Sequence, residues 1–192
     1  MRLMSRIRWT INLATLVTAL AGCYVGLVRG AVTVDLGIGR RTRPLGPLRR
    51  RVSASRETVF DLIASPYLAK TPRALEKELH VIERGTDMVL AAHFTPVGGG
   101  MTATTVETVG FDRPRRVSFR LVRGPVPEVK ETFTLEEADG ATEFEYRGTL
   151  ATDLWAIGDL WGRLVAQQWE RAVTRTLDSL QAEAERVERS RP

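Results

Sequence analysis

Cysteine, histidine and lysine are scarce in this chain. Among 192 residues there is one cysteine, Cys23, and two histidines, His80 and His93. A single cysteine excludes an intramolecular disulfide framework and any CxxC metal or redox motif. Two histidines give little from which to build a His-rich metal centre. Lysine occurs only at positions 70, 77 and 130, so the net charge of +5 is carried almost wholly by arginine. An arginine bias of that kind is a compositional habit and does not by itself indicate nucleic-acid binding. The chain also lacks GxSxG, HExxH, GxxxxGK[ST] and any GxGxxG placed after a strand. Gly98–Gly99–Gly100 is not followed by the Lys and Ser/Thr of a phosphate loop. No metal, cofactor, nucleic-acid partner or catalytic residue is therefore expected from motifs.

What is present begins with an uncharged run from Trp9 to Val28, between Arg2, Arg6 and Arg8 on one side and Arg29 on the other. About twenty helical residues span the roughly 30 Å hydrocarbon layer of a bilayer, so residues 1–29 read as a membrane anchor or signal segment. Leu20-Ala21-Gly22-Cys23 matches a lipobox, which makes Cys23 a candidate for acylation. The apolar run continues through Tyr24-Val25-Gly26-Leu27-Val28, which favours an uncleaved single-pass helix over a lipoprotein facing outward. Basic residues flank both ends; the larger cluster follows the span and places the main domain on the cytoplasmic side. Residues 30–47, with Pro44, Gly46 and Pro47, read as a linker.

Beyond the linker, "LRRRVSASRETVFDLIASP" reads as a strand entering a short helix capped by Ser55 and ended by Pro66. A second short helix is expected from Thr71-Pro72. From Glu78 the apolar period becomes two, and the turns at Gly85-Thr86, Gly98–Gly100, Asp112–Pro114 and Ala138–Gly140 divide the segment into six antiparallel strands. Alternation puts Val117, Phe119 and Leu121 on one face, with Phe133 and Leu135, and with Phe144 and Tyr146, on the matching faces of their own strands. It sets His93 and Arg120 out of phase with Phe94 and Phe119, hence outside. Glu136-Glu137 and Glu143/Glu145 straddle a turn as a solvated face. Trp161, Leu164, Val165, Gln168, Val173, Leu177 and Leu180 recur at helical steps in a long C-terminal helix. Past Leu180 that helix turns to Glu and Arg and reads as solvated, with 186–192 as a charged tail.

Strand, two short helices, six strands and a long helix is the order of the helix-grip fold. On "RRRVSASRETVFDLIASPYL", the strands closing in "TEFEYRGTL" and the helix "WGRLVAQQWERAVTRTLDSLQAEAE", residues 48–185 resemble the polyketide cyclase/dehydrase and lipid-transport branch of the START/Bet v 1-like superfamily (SRPBCC). The resemblance implies an α+β fold, a seven-stranded curved antiparallel sheet gripping the C-terminal helix around an elongated cavity for apolar molecules. The cavity-wall candidates are Phe94, Phe119, Phe133, Phe144, Tyr146, Trp161, Val165 and Gln168. Three functions compete: binding or transport of a hydrophobic small molecule or lipid by a membrane-tethered domain, cyclisation or dehydration of a polyketide-like substrate, and a protein-interaction module at the membrane.

Overall fold

The computed structural model describes residues 15, 17–69, 71, 73 and 75–190. Of the expected span from Trp9 to Val28, positions 9–14 and 16 lie outside these residues. Residues 17–28 are helical, and among the described residues no helix is both long and apolar enough to cross a membrane.

Among the described residues the sheet has seven antiparallel strands: β1 (Arg41–Val52), β2 (Leu79–Arg84), β3 (Met88–Gly98), β4 (Met101–Asp112), β5 (Arg116–Arg123), β6 (Glu128–Ala138) and β7 (Ala141–Thr152). Their spatial order is β1-β7-β6-β5-β4-β3-β2, so consecutive hairpins form a meander and β1 closes one edge. Helices α1 (Arg56–Leu68) and α2 (Trp155–Arg189) complete the domain. The β6–β7 hairpin turns at Asp139-Gly140, both at positive φ, the conformation that suits the twist of the flanking strands. Ser55 caps α1 by accepting from the Thr58 amide at 3.3 Å.

Four local expectations are corrected. The first strand begins at Arg41, so residues 41–47 are sheet rather than linker. Its Pro47 is tolerated because the register shifts between Leu45 and Leu48 on an edge strand, where a missing N–H breaks no ladder. This segment is pinned by Asp153, whose buried carboxylate accepts from the amides of Leu36 (2.6 Å) and Gly37 (2.8 Å) and from Arg40 Nε (2.7 Å). Those donors, Arg40 foremost, hold its carboxyl down at about 2. Second, α1 runs through Pro66 to Leu68, since a proline in the last turn sacrifices a single intrahelical bond. Third, no second short helix occurs among the described residues; 75–78 are turns leading into β2. Fourth, the end of α2 is not a solvated extension. Ala184 is fully buried, and Glu188 Oε2 accepts from Thr58 Oγ1 at 3.0 Å, tying the last turns of α2 to the start of α1.

The arginine triplet Arg49–Arg51 sits on β1, where Arg49 pairs with Glu145 (2.6 Å) and Arg51 with Glu143 (3.2 Å) across the β1–β7 ladder. The core lies between the concave face and the helices, centred on Phe60, Val109, Val117, Leu135, Phe144, Tyr146, Leu150 and Leu177.

Candidate functional site: a cavity between sheet and helix

The inner faces of β3, β4, β5 and β6 and the middle of α2 enclose a cavity of about 330 Å³. That lies at the small end of the range for small-molecule sites. Five of the eight wall candidates line it: Phe119, Phe133, Trp161, Val165 and Gln168. Phe144 and Tyr146 are buried one step further along the sheet. Phe144 packs at a tilt against Phe133, 5.1 Å between ring centroids, and the Tyr146 ring lies 5.7 Å from Phe133. Phe94 is not part of the wall. On β3 it is His93, Thr95 and Val97 that line the cavity, in phase with buried Val89 and Ala91, so Phe94 points to the opposite face. The expectation that His93 lies outside is therefore reversed. The period of two holds along β3, but the concave face is the one that carries the histidine.

The cavity also contains two carboxylates that motif reasoning passed over, Glu107 on β4 and Glu131 on β6. They are 5% and 7% exposed. Each stands opposite a small residue of the next strand, Glu107 across from Ala91 and Glu131 across from Gly148. A Cβ on Gly148 would meet Glu131 Cγ at 3.2 Å and the Lys130 carbonyl oxygen at 2.9 Å, so the glycine leaves the space the carboxylate uses. A signal for both was present: Glu131 alternates in phase with Phe133 and Leu135, and Glu107 with Val109 and Phe111.

Glu131 Oε1 accepts from Tyr146 Oη and from Trp169 Nε1, each at 2.6 Å. Among the described residues Oε2 has no hydrogen-bond partner. Glu107 Oε1 accepts from Thr105 Oγ1 at 2.6 Å, and its Oε2 lies 3.4 Å from His93 Nδ1. His93 Nε2 and the Tyr67 hydroxyl are hydrogen-bonded at 2.9 Å, whereas Nδ1 is buried without a hydrogen bond. Burial penalises the charged form of each group. It pushes Glu131 up to about 8, with the Glu107 charge adding to it and the Tyr146 and Trp169 hydrogen bonds opposing. It pushes Glu107 up to about 7 against the Thr105 hydrogen bond, and His93 down to about 4. Tyr67 and Tyr146 are both driven upward, by burial first and then by the neighbouring carboxylates. Near neutral pH the pair of acids is thus biased towards holding protons while His93 is neutral, an arrangement that can both donate and accept inside an apolar cavity.

The rim is partly built by residues before β1. Tyr24 and Val28 line the cavity, and the Tyr24 ring meets Trp161 edge-on at 6.0 Å. Arg123 Nε donates to the Gly30 carbonyl (2.8 Å) and Thr33 Oγ1 to the Gly124 carbonyl (2.6 Å), holding this segment against the domain. Beside it Ile157, Leu160 and Leu164 leave an apolar stripe of α2 exposed. Among the described residues no group of three or more His, Cys, Asp or Glu side chains could hold a metal ion.

An antiparallel sheet gripping a long helix around an apolar cavity with a few inward polar groups defines a helix-grip domain. Residues 48–185 match the polyketide cyclase / dehydrase and lipid transport family, and the chain belongs to that family within the SRPBCC superfamily. The fold is similar to that of the ZhuI aromatase/cyclase of Streptomyces sp. R1128, with 16% identity, 77% of this chain and 94% of that one covered, and a TM-score of 0.61. It is also similar to TTHA0849 of Thermus thermophilus (18% identity, 75% and 97% covered, TM-score 0.56). A START superfamily protein of Mycobacterium smegmatis aligns at 10% identity, with 77% and 98% covered and a TM-score of 0.50. At these identities the likeness concerns the fold alone. No curated protein matches the chain.

Proposed function

We propose that this protein binds a hydrophobic small molecule or lipid in the helix-grip cavity while tethered to a membrane through its N-terminal segment, with the domain on the cytoplasmic side. The observation that carries the binding reading is the cavity of about 330 Å³, whose wall is dominated by aromatic and aliphatic side chains. Each 100 Å² of apolar ligand surface removed from water there contributes about 2.5 kcal/mol, before the costs of immobilising the ligand. Tethering is supported by the uncharged run ending at Val28, and by the position of Tyr24 and Val28 on the cavity rim next to the exposed stripe of Ile157, Leu160 and Leu164. A ligand dissolved in the bilayer would then reach the cavity without crossing water.

The full-length protein, purified from membranes and analysed by native mass spectrometry and organic extraction, is expected to carry a stoichiometric apolar ligand. Replacing Phe133 and Val165, each with tryptophan to fill the cavity, is expected to remove it. A protein that neither retains nor takes up any apolar molecule would refute the reading.

A second reading is favoured by Glu107 and Glu131. Two acids that hold protons near neutral pH in an apolar cavity suit proton transfer to and from a carbonyl compound. As a cyclase or dehydratase of a polyketide-like substrate, the protein would use them as proton donor and acceptor while the cavity fixes the substrate's conformation. Turnover of a poly-β-ketone that persists when both are replaced by glutamine would exclude this enzyme reading.

A further inference from the structure

The charge of the cavity is opposite to that of the chain. The protein carries a net +5, yet among the described residues no lysine or arginine lines the cavity, while Glu107 and Glu131 both do. Neither carboxylate has a lysine or arginine partner among those residues. Glu131 is more than nine-tenths buried, and its Oε1 already accepts two short hydrogen bonds from donors that suit a carboxylate, Tyr146 Oη and Trp169 Nε1. Its Oε2 is left without a described protein partner on the cavity wall. Opposite, Glu107 Oε2 has only the 3.4 Å approach of His93 Nδ1, itself buried and without a hydrogen bond. The remaining wall is rich in π-faces: Tyr24, Tyr67, Phe119, Phe133, Trp161 and Trp169.

Two acids without counter-ions among aromatic rings form an environment that rewards a cation, whose charge draws them into their ionised form, and that offers an anion no partner. The carboxylate oxygens offer charge-assisted hydrogen bonds to an N–H donor. The rings offer the negative face of their quadrupole to the same charge. A fatty acid or a phosphate-bearing lipid head brought to this wall would instead find, among the described residues, no lysine or arginine to pair with.

From this combination we propose that the cavity selects an apolar molecule bearing a basic amine, with its ammonium held by Glu131 and Glu107 and its apolar body against the aromatic wall. The proposal deepens the ligand-binding reading given above and rests on it. It concerns the chemical class of ligand and involves no covalent step.

Three probes of nearly equal size separate the possibilities: 1-naphthylmethylamine, 1-naphthalenemethanol and 1-naphthoate, titrated calorimetrically into the full chain at one pH. The amine is expected to bind at least tenfold more tightly than the alcohol, and the naphthoate more weakly than either. In Glu131→Gln the ratio of amine to alcohol affinity is expected to fall below about threefold, with thermal unfolding confirming that the variant is folded. Glu107→Gln provides the same comparison should Glu131→Gln not fold. An amine that binds no better than the alcohol, or a preference that survives both substitutions, overturns the amine proposal and leaves the hydrophobic-ligand reading standing. Tightest binding of the naphthoate overturns it as well. Failure of all three probes to bind overturns both.

Discussion

The two cavity acids impose a dependence of stability on pH that can be worked out and measured. Both have folded pKa values above the ordinary carboxylate value of 4.5, Glu131 near 8 and Glu107 near 7, chiefly because burial disfavours the charged form. The folded state therefore binds more protons than the unfolded state between about pH 4.5 and 8, and stability falls as pH rises through that window. Below pH 6.5 the trend is opposed by His93, whose value is lowered to about 4 by burial, so that acidification charges it preferentially in the unfolded chain. Between pH 6.5 and 8 the unfolded histidine gives up its remaining proton and opposes the acids only weakly. Integrating the linkage over that interval gives a loss of about 2 kcal/mol, the larger share from Glu131. For a domain of this size that corresponds to a drop in Tm of roughly 4–8 °C. Thermal unfolding of the full chain at pH 6.5, 7.0, 7.5 and 8.0, in buffers of equal ionic strength, measures it. Glu131→Gln keeps an acceptor for Tyr146 and Trp169 and cannot ionise, so its loss over the same interval is expected to be under about 1 kcal/mol. A wild-type Tm that is flat or rises from pH 6.5 to 8, or a variant that loses as much as the wild type, would refute the assignment of these acids as buried and proton-holding.

Further outcomes follow from individual contacts. Tyr67→Phe removes the hydroxyl 2.9 Å from His93 Nε2 and leaves a second unpartnered nitrogen on that ring, at a cost of about 1–3 kcal/mol in urea unfolding. Gly158→Ala places a Cβ 1.5 Å from the Asp153 carbonyl oxygen, so the start of α2 must shift; a loss of about 3 kcal/mol by the same measurement is expected, and a neutral result would mean the turn is looser than described. Phe133→Ala is expected to cost about 3–5 kcal/mol and to abolish ligand retention, because that ring is buried at the cavity wall. Phe94→Ala, on the opposite face of the sheet, is expected to leave ligand retention unchanged, as followed by native mass spectrometry.

Local chemistry carried much of this structure into the sequence. The Ser55 cap, the turn at Asp139-Gly140 and the alternation through β5, β6 and β7 depend on near neighbours, and the strand number and order of elements follow from them. The site was legible only where an apolar stripe coincided with the wall, as at Phe119, Phe133, Trp161 and Val165. On β3 the period of two was plain, but periodicity gives two faces without saying which is concave. A phenylalanine beside a histidine favours the wrong face, and the pairing of Ala91 with Glu107 and of His93 with Thr105 fixes the other. Glu107 and Glu131 repeat in phase with apolar residues, as surface glutamates on a half-exposed strand also do. What distinguishes them is the small residue across each ladder, Ala91 and Gly148, and these partners come from other strands.

The seven strands, the capped helix α1, the long helix α2 and the family were legible from the residues alone, because hydrogen-bonding turns, caps and side-chain periods are set within a few residues. That the segment from Arg41 is sheet rather than linker emerges only in the folded chain, where Asp153, more than a hundred positions away, accepts from the amides that precede it. The tertiary structure alone also decided the character of the cavity. Burial, the lack of a cationic partner among the described residues and the proximity of two carboxylates are properties of the enclosed space, and that space exists only once β3 to β6 curve around α2.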